Sequence, residues 1–101
     1  MMERLPIETG RVVLSCQGRD TGRYFVVLQV LGEQYVMLVD GQSRKLDHPK
    51  KKKLKHVKAK PVLMENLAVL RENNTLQDAT IRKFLKDNGL GLEQPLCKED
   101  E

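Results

Sequence analysis

The stretch Arg23-Tyr24-Phe25-Val26-Val27-Leu28-Gln29-Val30-Leu31 constrains the fold more than any other part of the chain. It is dense in β-branched and aromatic residues, which favour strands, and it does not alternate between apolar and polar. Tyr24, Val26, Leu28 and Val30 fall on one face, and Phe25, Val27 and Leu31 on the other. Gln34-Tyr35-Val36-Met37-Leu38-Val39 repeats the pattern, with Tyr35, Met37 and Val39 opposing Val36 and Leu38. A strand with one buried face alternates, so these two are covered on both sides. Their own sheet, closed on itself, supplies one cover. An element outside the sheet must supply the other.

The rest of the first half reads as further short strands. Arg11–Cys16 is the first, separated from the long strand by the glycine turn Gln17-Gly18-Arg19-Asp20-Thr21-Gly22. Gly32-Glu33 predicts a two-residue hairpin connection, and Asp40-Gly41 a second hairpin leading to a short fourth strand over Ser43–Leu46. Leu54-Lys55-His56-Val57 is the expected fifth strand. Short strands at this spacing, with glycine in the turns, predict a small barrel or sandwich, and five strands in about fifty residues is the size of an SH3-like barrel. The fold class expected is therefore mainly β, an SH3-like barrel of about five strands followed by a C-terminal α-helical appendage packed on it.

Two divisions follow, the barrel over 1–60 with a basic segment over 44–60, and the appendage over 61–101. Val62–Leu70 is apolar without a readable period. Thr75 reads as an N-cap with Asp78 at the capping-box position, opening a helix over about 75–88. Leu76, Ile81, Phe84 and Leu85 form its apolar stripe, and Asn88-Gly89 closes it. This helix is the expected cover for the second sheet face. Cys97-Lys98-Glu99-Asp100-Glu101 reads as an acidic tail.

The 101 residues carry a net charge of +4, and that charge is segregated. Residues 1–41 are at −1, residues 42–60 at +8, and residues 61–101 at −3. A local excess of eight cations within nineteen residues attracts polyanions whatever the global balance. Its members are Arg44, Lys45, Lys50, Lys51, Lys52, Lys53, Lys55, Lys58 and Lys60. Lysine is a flexible point charge, suited to phosphates more than to reading a base. The glycine turn is the second candidate, because Gly18 and Gly22 permit close backbone approach and Arg19 and Arg23 can clamp a phosphate. A plain strand connection explains that turn equally well.

The aromatics Tyr24, Phe25, Tyr35 and Phe84 all sit in apolar patterns and are expected in the core, which argues against a single-strand stacking platform. A folded, phosphate-dense RNA is the better target. His48 and His56 lack further ligands at zinc spacing, and the surrounding cations oppose a bound metal. Cys16 has no base arranged beside it, and no carboxylate pair or Ser-His-Asp set can be argued, so no enzyme and no cofactor is expected. The start of the sequence lacks the pattern of a signal peptide, no apolar run is long enough to span a bilayer, and two distant cysteines make no disulfide framework. A cytoplasmic location without membrane association is expected.

Glu8-Thr9-Gly10-Arg11-Val12-Val13, followed by Gln17-Gly18-Arg19-Asp20-Thr21-Gly22-Arg23-Tyr24-Phe25-Val26-Val27, resembles the KOW motif of small SH3-like barrels in ribosomal proteins and antitermination factors of the NusG type. With Asp40-Gly41, Arg44-Lys45, Lys50–Lys53, Leu54-Lys55-His56-Val57 and Ile81-Arg82-Lys83-Phe84-Leu85, residues 5–90 look like the archaeal and eukaryotic large-subunit ribosomal protein fourteen family and its short bacterial KOW-domain relatives. The resemblance implies binding of structured, ribosomal RNA through Gly18, Arg19, Gly22, Arg23, Arg44, Lys45, Lys50, Lys51, Lys52, Lys53, Lys55, His56 and Lys58. It departs at Asp20 and in the acidic C-terminal part, which point to an accessory factor as much as to a constitutive ribosomal protein. A monomer that meets RNA and ribosomal or transcription proteins is the expectation. The alternative is an SH3-like protein–protein interaction module of the transcription or translation machinery, docking through Val62–Leu70.

Overall fold

The β-branched runs form the strands at the centre of the molecule. The computed structural model describes residues 7–16, 18 and 21–90. Five strands, β1 (Arg11–Ser15), β2 (Tyr24–Leu31), β3 (Tyr35–Val39), β4 (Lys50–Lys53) and β5 (Val57–Leu63), precede two helices, α1 (Leu67–Glu72) and α2 (Asp78–Asp87). A single 3-10 turn, Leu54–His56, joins β4 to β5. All pairings are antiparallel, in the order β4-β3-β2-β1-β5. The two edges of that sheet are therefore only three residues apart in the chain, so the sheet must curl until they approach. The Cys16 N–H donates to the His56 carbonyl (2.9 Å), which carries the β1–β5 pairing one residue past Ser15 and Val57 and into the 3-10 turn.

Curling gives the sheet two faces with separate cores. Val13, Phe25, Val27, Val36, Leu38 and Val57 form the inner cluster, joined by Ile7, Val30 and Leu54. Val12, Val26, Leu28 and Val39 form the outer one, closed by Met64, Leu67, Ile81 and Leu85. The long strand is thus buried on both sides, and the covering element is the pair of helices. Fully burying Ile81 and Leu85 contributes roughly 2 kcal/mol each.

The sequence pattern of β2 is interrupted by a bulge. Val27 pairs with Leu38 but Gln29 pairs with Met37, which leaves Leu28 as the extra residue. The bulge reverses the alternation beyond it. Val30 therefore packs with the inner cluster instead of sharing the face of Leu28, and Gln29 is exposed.

Several boundaries differ from the sequence expectations. Ser43–Leu46 is not a strand; the fourth strand is the lysine run Lys50–Lys53. Leu54–His56 is a 3-10 turn, and the fifth strand runs from Val57 to Leu63, across the division placed at residue 60. Leu31 pairs with Tyr35, so the β2–β3 connection has three residues. Thr75 does not cap α2: its hydroxyl donates to the Leu70 carbonyl (3.2 Å), and the helix starts after Gln77 without a side-chain cap. The Asp78 carboxylate instead accepts the Leu46 N–H (2.7 Å), which ties α2 to the β3–β4 loop. At the other end, Leu90 N–H to Leu85 carbonyl and Gly89 N–H to Lys86 carbonyl form a Schellman closure, as Asn88-Gly89 predicts. The tail from Cys97 lies outside the described residues.

Candidate nucleic-acid interface

The β3–β4 loop, 40–49, is built around one carboxylate. Asp40 is buried, and its Oδ1 accepts the N–H groups of Gln42 (2.9 Å) and Arg44 (2.7 Å) while Oδ2 accepts the Ser43 hydroxyl (2.7 Å). The Asp40 and Gly41 N–H groups donate in return to the Arg44 carbonyl. Asp-Gly thus marks a side-chain-organised loop, not a tight hairpin. Gly41, at a φ of +78°, lies against α2, where a Cβ would collide with the Asp78 carbonyl and crowd Arg82. The Arg82 guanidinium donates to the Gly41 carbonyl (2.7 Å). The helix therefore holds the loop that presents Arg44 and Lys45, of which Lys45 is exposed and Arg44 half-buried.

The glycine turn is drawn towards two basic elements. Gly18 and Gly22 both take left-handed backbone conformations (φ +84° and +91°). Arg23 is exposed and donates from Nη1 to the Ser43 hydroxyl (3.3 Å), linking the turn to the β3–β4 loop. On the other side, the Lys52 ammonium lies 3.6 Å from where a Cβ on Gly18 would stand. The two candidate regions of the sequence, far apart in the chain, therefore meet. Arg19 lies outside the described residues.

The lysine run is an edge strand, and the strand pattern sorts its members. Lys52 stands opposite Val36 and Lys50 opposite Leu38, on the inner face; Lys51 pairs with Met37 and Lys53 with Tyr35, on the outer. Lys52 is only 8% exposed and Lys50 is half-buried, whereas Lys51 and Lys53 are exposed. Beyond the strand, Lys55 and Lys58 are exposed and His56 is half-buried, with its carbonyl committed to Cys16. Of the candidate-site cations among the described residues, those open to solvent are thus Arg23, Lys45, Lys51, Lys53, Lys55 and Lys58. Lys52 belongs to the architecture of the glycine turn.

Tyr35 departs from its expectation. Tyr24 and Phe84 pack on the outer cluster and Phe25 lies in the inner one, but Tyr35 belongs to neither. Its ring is half-exposed under the Lys51 ammonium, which lies 4.6 Å from the ring centroid. The strand alternation placed Tyr35 on the correct face and hid that the helices do not reach it. The segment Val62–Leu70 offers less apolar surface than its composition implied. Met64 and Leu67 are core, Val62 and Leu70 pack against it, and Val69, 56% exposed, is the large apolar side chain left open among the described residues.

Among the described residues, no group of three His, Cys, Asp or Glu side chains is arranged to hold a metal ion, and no helix is long and apolar enough to cross a membrane. No protein-family model and no curated protein sequence matches the chain.

Proposed function

We propose that this chain is a non-enzymatic module for structured RNA, meeting phosphates with its exposed lysines and a backbone segment with the glycine turn. The reading rests on one observation: Lys51, Lys53, Lys55 and Lys58 are exposed on the stretch of chain running from β4 into β5, and the buried member of that stretch, Lys52, reaches the glycine turn at Gly18. Clustered cations of this kind repel one another, and a phosphate backbone relieves that repulsion while releasing counterions. The KOW resemblance points the same way and makes ribosomal RNA the first target, with the chain as a ribosomal or ribosome-associated cytoplasmic protein.

The test is binding to ribosomal RNA fragments across a salt series. The native chain is compared with one carrying Lys51→Ala, Lys53→Ala, Lys55→Ala and Lys58→Ala. If each lysine meets a phosphate, the logarithmic salt slope falls by about three units, at roughly 0.7–0.9 per contact. An unchanged slope would reject the lysine run as the RNA face and favour the protein-interaction reading, for which exposed Val69 is the first residue to substitute.

A further inference from the structure

Around Tyr35 an aromatic ring, two outward lysines and a polar hollow converge. Tyr35 opens β3 directly opposite Lys53 of β4, and the ring carries the Lys51 ammonium over its face. Beside it, Glu33, Gln34, Lys53, Leu54 and Lys55 line a hollow of about 320 Å³. Its wall is fixed by the backbone, because the Leu54 N–H donates to the Gln34 carbonyl (2.8 Å) and so ties the 3-10 turn to the β2–β3 connection. Leu54 packs on the inner core behind it, so the floor is anchored.

The geometry points to a docking site for one unpaired nucleotide of the bound RNA, its base stacked on Tyr35 and its edge turned into this hollow. A half-exposed ring that belongs to neither core cluster contributes little to the core, and a ring face is where single-stranded bases bind. The cation now above it is an exposed, flexible lysine, which can swing to the flanking phosphate as a base takes its place. Lys53 and Lys55 supply the remaining positive charge at the rim. Gln34 offers an amide that donates and accepts, and Glu33 a carboxylate that accepts from an exocyclic amine, so the hollow can read a base edge. A fully paired helix stacks its bases internally and presents none to the ring. The site would therefore prefer a loop or bulge adjoining a stem, which a lysine cluster alone does not explain.

This inference rests on the RNA-binding reading, and the test separates the two. The probes are an RNA hairpin with an adenine-rich loop and the blunt duplex of its stem. Tyr35→Ala is expected to weaken hairpin binding about tenfold, as loss of one stacked base does. The salt slope and duplex affinity should stay as in the native chain, and Tyr35→Phe should bind the hairpin normally. Should Tyr35→Ala lose its circular dichroism signal, Tyr35→Trp decides: hairpin addition must quench its emission, and duplex addition must not. Native affinity for the hairpin in Tyr35→Ala, equal losses on hairpin and duplex, or no selective quenching of the Trp variant would overturn the stacking site and leave the phosphate reading standing. Failure of the native chain to bind either probe at low salt would overturn both.

Discussion

Asp40, a residue only 3% exposed, accepts through its carboxylate three hydrogen bonds that shape the loop carrying Arg44 and Lys45. Hydrogen bonds to a charged acceptor are worth about 1.5–3 kcal/mol each, and the orphaned donors of a truncation variant recover part of that from water. Asp40→Ala is therefore expected to lower unfolding free energy by about 3 kcal/mol in urea titration, and Asp40→Asn by less, because an amide oxygen can still accept. The neighbouring glycine supplies a second comparison. Gly41→Ala and Gly22→Ala both force a side chain into left-handed backbone, at about 1–2 kcal/mol. Only Gly41 also faces the backbone of α2, while Gly22 has open space around it. Gly41→Ala should thus destabilise clearly more than Gly22→Ala, and a reversed order in the same titration would mean that the loop does not dock on the helix.

Among elements, β4 carries two duties. It stands at the edge of the sheet order, and lysines on an edge strand oppose pairing with another chain. The same alternation that turns Lys51 and Lys53 outward makes them available to phosphates. Replacing both by valine should therefore produce concentration-dependent self-association, seen by sedimentation; a variant that stays monomeric at high concentration would show that the edge is protected by other means. The helix α2 closes the opposite problem, the apolar outer face. Ile81→Ala is expected to cost about 2–5 kcal/mol and to shift the urea midpoint accordingly. The sequence made β1 to β3 and the two-sided burial legible, since β-branched residues on both faces leave no other reading. It did not reveal β4, because four lysines have no hydrophobic period and pairing with β3 alone makes them a strand. Nor could it reveal β5, whose lysines and Pro61 are tolerated only because it lies at an edge. The bulge at Leu28 was equally hidden, since a register shift is decided by the partner strand and leaves no mark on composition.

Across the whole molecule, charge was the legible part of the candidate site and geometry was not. The excess of eight cations over residues 42–60 stands in the sequence, but which lysines face outward follows only from the strand they form. Tyr35 was assigned to the core because alternation records a face and not how far the helices extend along it. These two kinds of group should act on different steps of association. Exposed charges at a rim draw an anionic partner in through the surrounding field and set the encounter rate, while a specific contact made after docking sets how long the complex lasts. The variant lacking Lys51, Lys53, Lys55 and Lys58 should therefore bind RNA with a slower association rate that depends less on ionic strength. Tyr35→Ala should associate at the native rate and leave the hairpin about tenfold faster, because stacking is lost only from the docked complex. Stopped-flow mixing with labelled hairpin across a salt series measures both. An association rate in the lysine variant that keeps the native salt dependence would place the steering charge elsewhere on the chain. A slowed association in Tyr35→Ala would show that the ring shapes the encounter surface instead of holding a base.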